Sequence, residues 1–156
     1  MIAIHAAGLV RRFGDVTAVD GVDLEVAAGE VYGFLGPNGA GKSTVVRMLC
    51  TLLMPTEGRA AVGGLDVVDA AGDVRLEIGV ALQDAALDDR MTGREILSTQ
   101  GRLFGLNRVE VRARIGELSP ILEVDALDRL VSTYSGGMKR RLDLAAALMH
   151  NPSILF

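Results

Sequence analysis

Apolar positions in the first thirty residues recur at two-residue spacing. Ile2 and Ile4, then Leu9 and Val10, precede a Phe13-Gly14-Asp15 turn, and Val22, Leu24 and Val26 alternate beyond it. That period with an intervening turn predicts antiparallel β structure. Ala28-Gly29-Glu30 reads as a second turn. It leads into an apolar run, Val31, Tyr32, Gly33, Phe34 and Leu35, that predicts a strand. The period then changes: Val45, Val46, Met48, Leu49, Leu52 and Leu53 follow a helical pattern, and Pro55-Thr56-Glu57-Gly58 closes it. Ala60 to Val68, with Gly63-Gly64 inside, reads as a short hairpin. Ile78-Gly79-Val80-Ala81-Leu82 reads as a buried strand with Gln83 directly after it.

From Thr92 onward the pattern is helical. Thr92 with Glu95 makes a capping-box signature ahead of Ile96 and Leu97. Val111, Ile115, Leu118 and Leu122 recur at four- and three-residue spacing, and Pro120 interrupts the stripe, which predicts two helices rather than one. A last helix is expected after Ser135-Gly136-Gly137, carrying Leu142, Ala145, Ala146, Leu148 and Met149. Asn151-Pro152 ends it, and Ile154-Leu155-Phe156 opens another strand. His150 reads as a helix-end residue favoured by the dipole. No internal repeat or low-complexity linker interrupts the order.

Composition narrows the class. At 156 residues, 49% apolar and 23% charged, the chain has the size and balance of one globular domain. A net charge of −4 argues against nucleic acid as a partner, which calls for a basic face. No apolar run reaches bilayer length and no charged-then-apolar leader opens the sequence, so a soluble, unexported chain is expected. The single cysteine, Cys50, fits a reducing compartment and a buried place on the first helix. A mean hydropathy of +0.33 suits a surface hidden against a partner and equally an aliphatic core.

The candidate chemistry lies first in residues 36–44, Gly-Pro-Asn-Gly-Ala-Gly-Lys-Ser-Thr. An apolar run, a glycine-rich turn and a helical pattern are the context of a phosphate-binding loop. Curled backbone turns successive N–H groups inward at phosphate oxygens, and the new helix adds its positive end. Lys42 is placed to reach the β- and γ-phosphates, and the Ser43 hydroxyl to sit on Mg²⁺. The chain carries only two lysines, Lys42 and Lys139, against fourteen arginines, and one stands where a compact ammonium is wanted. The second stretch is Tyr134-Ser135-Gly136-Gly137-Met138-Lys139, where a hydroxyl and bare N–H groups face out at a helix start. Alone, it reads more readily as a capped helix start and nothing more, since Ser so often caps helices.

Taken together, the loop, Gln83 after its strand, and Ser-Gly-Gly-Met-Lys before Arg140-Arg141-Leu142-Asp143-Leu144 resemble the ATP-binding subunit of ABC transporters, in that family's order. The resemblance implies an α/β fold: a P-loop (RecA-like) core with an N-terminal antiparallel β subdomain and an α-helical subdomain. The core would comprise residues 1–84 and 134–156 and the helical subdomain 85–133. It implies ATP and Mg²⁺ as cofactors. Gly36, Asn38, Gly39, Ala40, Gly41, Lys42, Ser43 and Thr44 match the Walker A loop, and Gln83, with Ser43, would meet Mg²⁺. Phe13 matches the aromatic that stacks on adenine; a ring at a turn is in itself more often packing, but its place ahead of the loop favours stacking. Ser135, Gly136 and Gly137 match the signature that caps the nucleotide of a second copy, so a head-to-tail homodimer holding two ATP is expected. A transmembrane permease is the other implied partner, with the helices from about Thr92 to Leu130 facing it, at the cytoplasmic face of the membrane. Leu82-Gln83-Asp84, Met91-Thr92-Gly93-Arg94-Glu95 and Thr133-Tyr134-Ser135 look most like the drug-exporter branch typified by daunorubicin export.

Two departures matter. Tyr134 stands where most members have Leu. The family's Walker B strand runs into an Asp-Glu pair, whereas this sequence stops at Ile154-Leu155-Phe156, so that pair and the switch His beyond it are not among its residues. The sequence is therefore expected to be part of a longer ATPase, and without the Glu base hydrolysis is expected to fall by about 10²–10⁴. An inactive nucleotide-binding pseudo-subunit shares every motif. A non-transport ABC ATPase acting on DNA or ribosomes fits less well, with only fifty residues between Gln83 and Tyr134. A P-loop GTPase is excluded because neither lysine follows an Asn.

Overall fold

The computed structural model describes residues 1–81 and 87–156. The chain divides into two compact units, Met1–Ile78 and Gly79–Phe156.

In the first unit β1 (Ile2–Phe13) and β2 (Val16–Ala27) form a long antiparallel hairpin, as the two-residue period predicts. The hairpin turns at Gly14, whose φ of 56° is cheap only without a Cβ. After the helix α1 (Lys42–Leu49), β3 (Glu57–Val62) pairs with the other edge of β1. Beyond Gly63-Gly64, β4 (Leu65–Asp66) completes a sheet of order β2-β1-β3-β4. A short helix, α2 (Ala71–Glu77), follows. Val45, Met48 and Leu49 of α1 recur at three- and four-residue spacing and are buried, as are Ile4, Ala6 and Leu9 of β1 and Val62 of β3. Cys50 is buried as expected, and burial pushes its thiol up to about 12, so it is a neutral small hydrophobe at physiological pH.

The run at 31–35 departs from expectation. It is not a strand: Val31 is 99% and Leu35 92% exposed, and no described strand pairs with it. An apolar run predicts burial, but a strand exists only where a neighbour supplies ladder hydrogen bonds.

The short strand β5 (Ile78–Gly79) leads from the first unit into the second, whose described residues include the α-helices α3 (Gly93–Leu103), α4 (Arg108–Glu117) and α5 (Gly136–Ala147). That unit closes with β6 (Ile154–Leu155), laid beside β5. Phe156 donates to the Gly79 carbonyl and accepts from the Ala81 amide, both at 2.9 Å, the pattern of a parallel pair. Leu97, Val111, Ile115, Leu127, Val131, Leu142, Ala145 and Met149 make one core. Helix α3 begins with the predicted capping box: the Glu95 amide donates to the Thr92 hydroxyl at 3.2 Å and the Thr92 amide to the Glu95 carboxylate at 2.8 Å. Asn107 and Glu110 cap α4 in the same way. After Pro120 no second α-helix forms; Ser119–Ile121 and Val124–Ala126 are single 3₁₀ turns. Proline suits a first-turn position, and three residues bury too little to extend a helix. His150 lies just past α5, stacked on Phe104 with centroids 3.7 Å apart.

Candidate nucleotide site

The phosphate-loop sequence ends against β2. The β1–β2 register slips by one between the pairs Arg11–Val19 and Arg12–Thr17, leaving Ala18 as an extra residue on β2. Such a bulge re-aims the backbone. A Cβ at Gly41 would lie 2.4 Å from the Ala18 carbonyl oxygen, and Gly41 has a φ of 81°. Only glycine permits this approach. Gly41 then caps α1, its carbonyl accepting from the Val45 amide at 2.9 Å.

Lys42, Ser43 and Thr44 therefore open α1, where amides have no acceptor one turn earlier in the helix. Within the loop Ala40 donates to the Pro37 carbonyl at 3.3 Å, a tight turn. Lys42 Nζ folds back over it and donates to the Gly36 and Pro37 carbonyls, each at 2.6 Å. Ser43 is exposed and Thr44 half-buried. Residues 36–44 include no carboxylate, and Asn38 and Gly39 are exposed. The donor set, an ammonium beside helix-start amides, fits a polyanion. Ser43 fits Mg²⁺, which takes few protein oxygens and completes its shell from phosphate and water. Gln83 lies outside the described residues.

Phe13 stands at the β1–β2 hairpin tip, opposite Val16 and 48% exposed. Val16 and Ala18 are two residues apart on β2, about 7 Å along a strand. The strand against which Gly41 packs thus also carries the partner of Phe13. Sequence reasoning overlooked its neighbour Arg11, whose guanidinium sits 4.5 Å from the Phe13 ring centroid. The signal was present, since residues two apart on a strand share a face.

In the second unit Ser135 is the N-cap of α5 and accepts from the Met138 amide at 3.3 Å. Ser135, Gly136 and Gly137 are exposed, and nothing lies within 4 Å of where a Cβ at either glycine would be. The turn is tied down on both sides. Tyr134 donates its hydroxyl to the Ala126 carbonyl at 2.6 Å, and burial raises that phenol above its ordinary pKa. A Cβ at Gly93 would sit 2.5 Å from the same oxygen, so residue 93 must be small to leave room for Tyr134. Lys139 Nζ donates to Asp89 at 2.6 Å. Asp89 and Gly93 stand in stretches, Leu87-Asp88-Asp89 and Met91 to Glu95, that resemble the exporter branch, but their contacts with Lys139 and Tyr134 are remote along the chain and could not be read from it.

The family model described as ABC transporter matches residues 19–156. The chain is 51% identical over 155 residues to the daunorubicin/doxorubicin resistance ATP-binding protein DrrA of Streptomyces peucetius, covering 99% of this chain and 47% of that protein. It is 52% identical over 155 residues to the daunorubicin resistance ATP-binding protein DrrA3 of Streptomyces coeruleorubidus, covering 99% and 49%. The chain thus spans about half the length of the curated relatives it matches. Among solved structures, cbiO1 of Clostridium perfringens, part of the ABC transporter complex cbiONQ, superposes with a TM-score of 0.85 at 25% identity, covering 99% of this chain and 64% of that one. With the α/β P-loop fold and a family model matched over most of its residues, the chain belongs to the ABC transporter ATP-binding family.

Proposed function

We propose that this chain binds Mg·ATP at residues 36–44 as the nucleotide-binding half of a motor that powers a drug or antibiotic exporter. The observation that carries the reading is the loop itself: Gly41 seated on the Ala18 bulge, Lys42 folded over the loop carbonyls, and helix-start amides beside them. Gly36, Asn38, Gly39, Ala40, Gly41, Lys42, Ser43 and Thr44 would surround the phosphates, with Ser43 and Gln83 on Mg²⁺. Lys42 would neutralise charge on the transferring phosphoryl group, the role such a cation serves when positioning and electrostatics carry the reaction. Phe13 would take the adenine.

Ser135, Gly136 and Gly137 would cap the nucleotide of a second copy, so that two chains closing head to tail complete two sites. ATP favours the closed pair and hydrolysis releases it. Residues 1–84 and 134–156 would form the nucleotide core and 85–133 the helical part that meets a transmembrane permease at the cytoplasmic face. No helix among the described residues is long and apolar enough to cross a membrane. The names of the 51% and 52% identical relatives support the drug-exporter assignment.

The test is sedimentation and phosphate release with Mg·ATP, for the wild type beside Lys42→Ala and Ser135→Arg. ATP-dependent pairing lost in both variants supports the reading. Lys42-dependent phosphate release makes the chain itself the motor; pairing without release makes it a nucleotide-holding part. No ATP-dependent pairing in the wild type contradicts the two-site arrangement.

A further inference from the structure

The ring that the proposed function gives to adenine already has a cation on it. Arg11 and Phe13 are two residues apart on β1, and the Arg11 guanidinium carbon lies 4.5 Å from the Phe13 centroid. That distance is within cation–π range. The arginine is not a free surface side chain. It is half-buried, and its NH1 donates to the Met54 carbonyl at 2.8 Å. Its Nε is sealed from solvent with no hydrogen-bond partner among the described residues. Ring and carbonyl together therefore set where the guanidinium lies. Met54 follows the end of α1, the helix that Lys42, Ser43 and Thr44 begin. Arg11 thus joins the hairpin tip to the far end of the phosphate-loop helix. Phe13 is still 48% exposed, which leaves ring surface for a second flat group.

We propose that Arg11 is a positioning and selectivity residue for the nucleotide base. It holds the Phe13 ring flat from one side while a purine stacks on the other, making a three-layer stack of guanidinium, phenyl and base. The physics favours that order. The cation draws ring electron density toward itself and leaves the opposite face better matched to an electron-rich purine. It also removes rotational freedom that the ring would otherwise lose on binding the base. This inference rests on Phe13 being the base platform.

The test titrates the 156-residue chain with Mg·ATP and, separately, with inorganic tripolyphosphate and Mg²⁺, which reports the phosphate loop without a base. Variants are Arg11→Gln, Phe13→Ala and the double variant. Arg11→Gln is expected to weaken ATP binding about two- to fivefold and leave tripolyphosphate binding unchanged. Phe13→Ala is expected to weaken ATP at least as much, and the double variant no more than Phe13→Ala alone. A merely structural arginine would move both ligands together, so equal losses for ATP and tripolyphosphate overturn the proposal. So does an unchanged ATP affinity in Arg11→Gln while Phe13→Ala weakens it. An unchanged ATP affinity in Phe13→Ala overturns the platform itself, and the role of Arg11 with it. If Arg11→Gln unfolds, Arg11→Lys keeps the charge without the planar fork, and the same comparison of ligands decides.

Discussion

At the residue scale, the position that fixes the loop is Gly41. Its left-handed backbone and its contact with the Ala18 carbonyl act together, so a Gly41→Ala variant suffers strain and a clash at once. It is expected to lose about 1–3 kcal/mol of stability in urea denaturation and to bind Mg·ATP more weakly than wild type. Unchanged midpoint and affinity would show that the loop does not depend on this approach. The glycine was readable as part of a motif, but its reason was not. The β2 bulge that brings Ala18 to it is a register slip between two strands, and no residue in either strand announces it. Arg11 is similar: the i, i+2 spacing was visible, whereas the bond to Met54 joins segments forty-three residues apart.

Local signals were legible at the scale of elements, and partners were not. Thr92 and Glu95 announced a capping box, and Asn107 with Glu110 carried the same pattern unread. The 31–35 run was misjudged because its composition describes a strand while strand formation depends on a neighbour. Between elements, Gly93 and Tyr134 form a matched pair. Gly93→Ala is expected to destabilise the second unit by about 1–3 kcal/mol, and Tyr134→Leu in the same chain to restore much of that loss. Additive losses in thermal melts would show that the two do not share the space. The helix starts also predict a pH dependence. Glu95 is held below its ordinary 4.5 by the Thr92 amide and then the Thr92 hydroxyl. Asp128 is held below 3.8 by its hydrogen bonds from Arg94. Groups lowered in the folded state stabilise it above their ordinary values and lose that contribution as pH falls through the folded ones. Melting of the wild type should therefore drop below about pH 4.5, and Glu95→Gln should flatten the drop. An acid dependence identical in Glu95→Gln would remove the cap from this account.

For the whole molecule, the two compact units each carry one half of the proposed chemistry, the loop and base platform in the first and the Ser135 turn in the second. Family and fold were legible because three short motifs stand in a fixed order, and backbone chemistry dictates their residues. Gln83 was legible only as a position in that order, since it lies outside the described residues. Residues 36–44 are proposed to hold the phosphates of ATP. Equilibrium titration of the chain with Mg·ATP, beside Lys42→Ala, tests it most directly. Saturable binding at a single site in the wild type, weakened at least tenfold by Lys42→Ala while the melting temperature is kept, is the predicted result, in line with loss of a charge-assisted contact of about 1.5–3 kcal/mol. Equal affinity in the two proteins, or no binding by the wild type, would contradict the account.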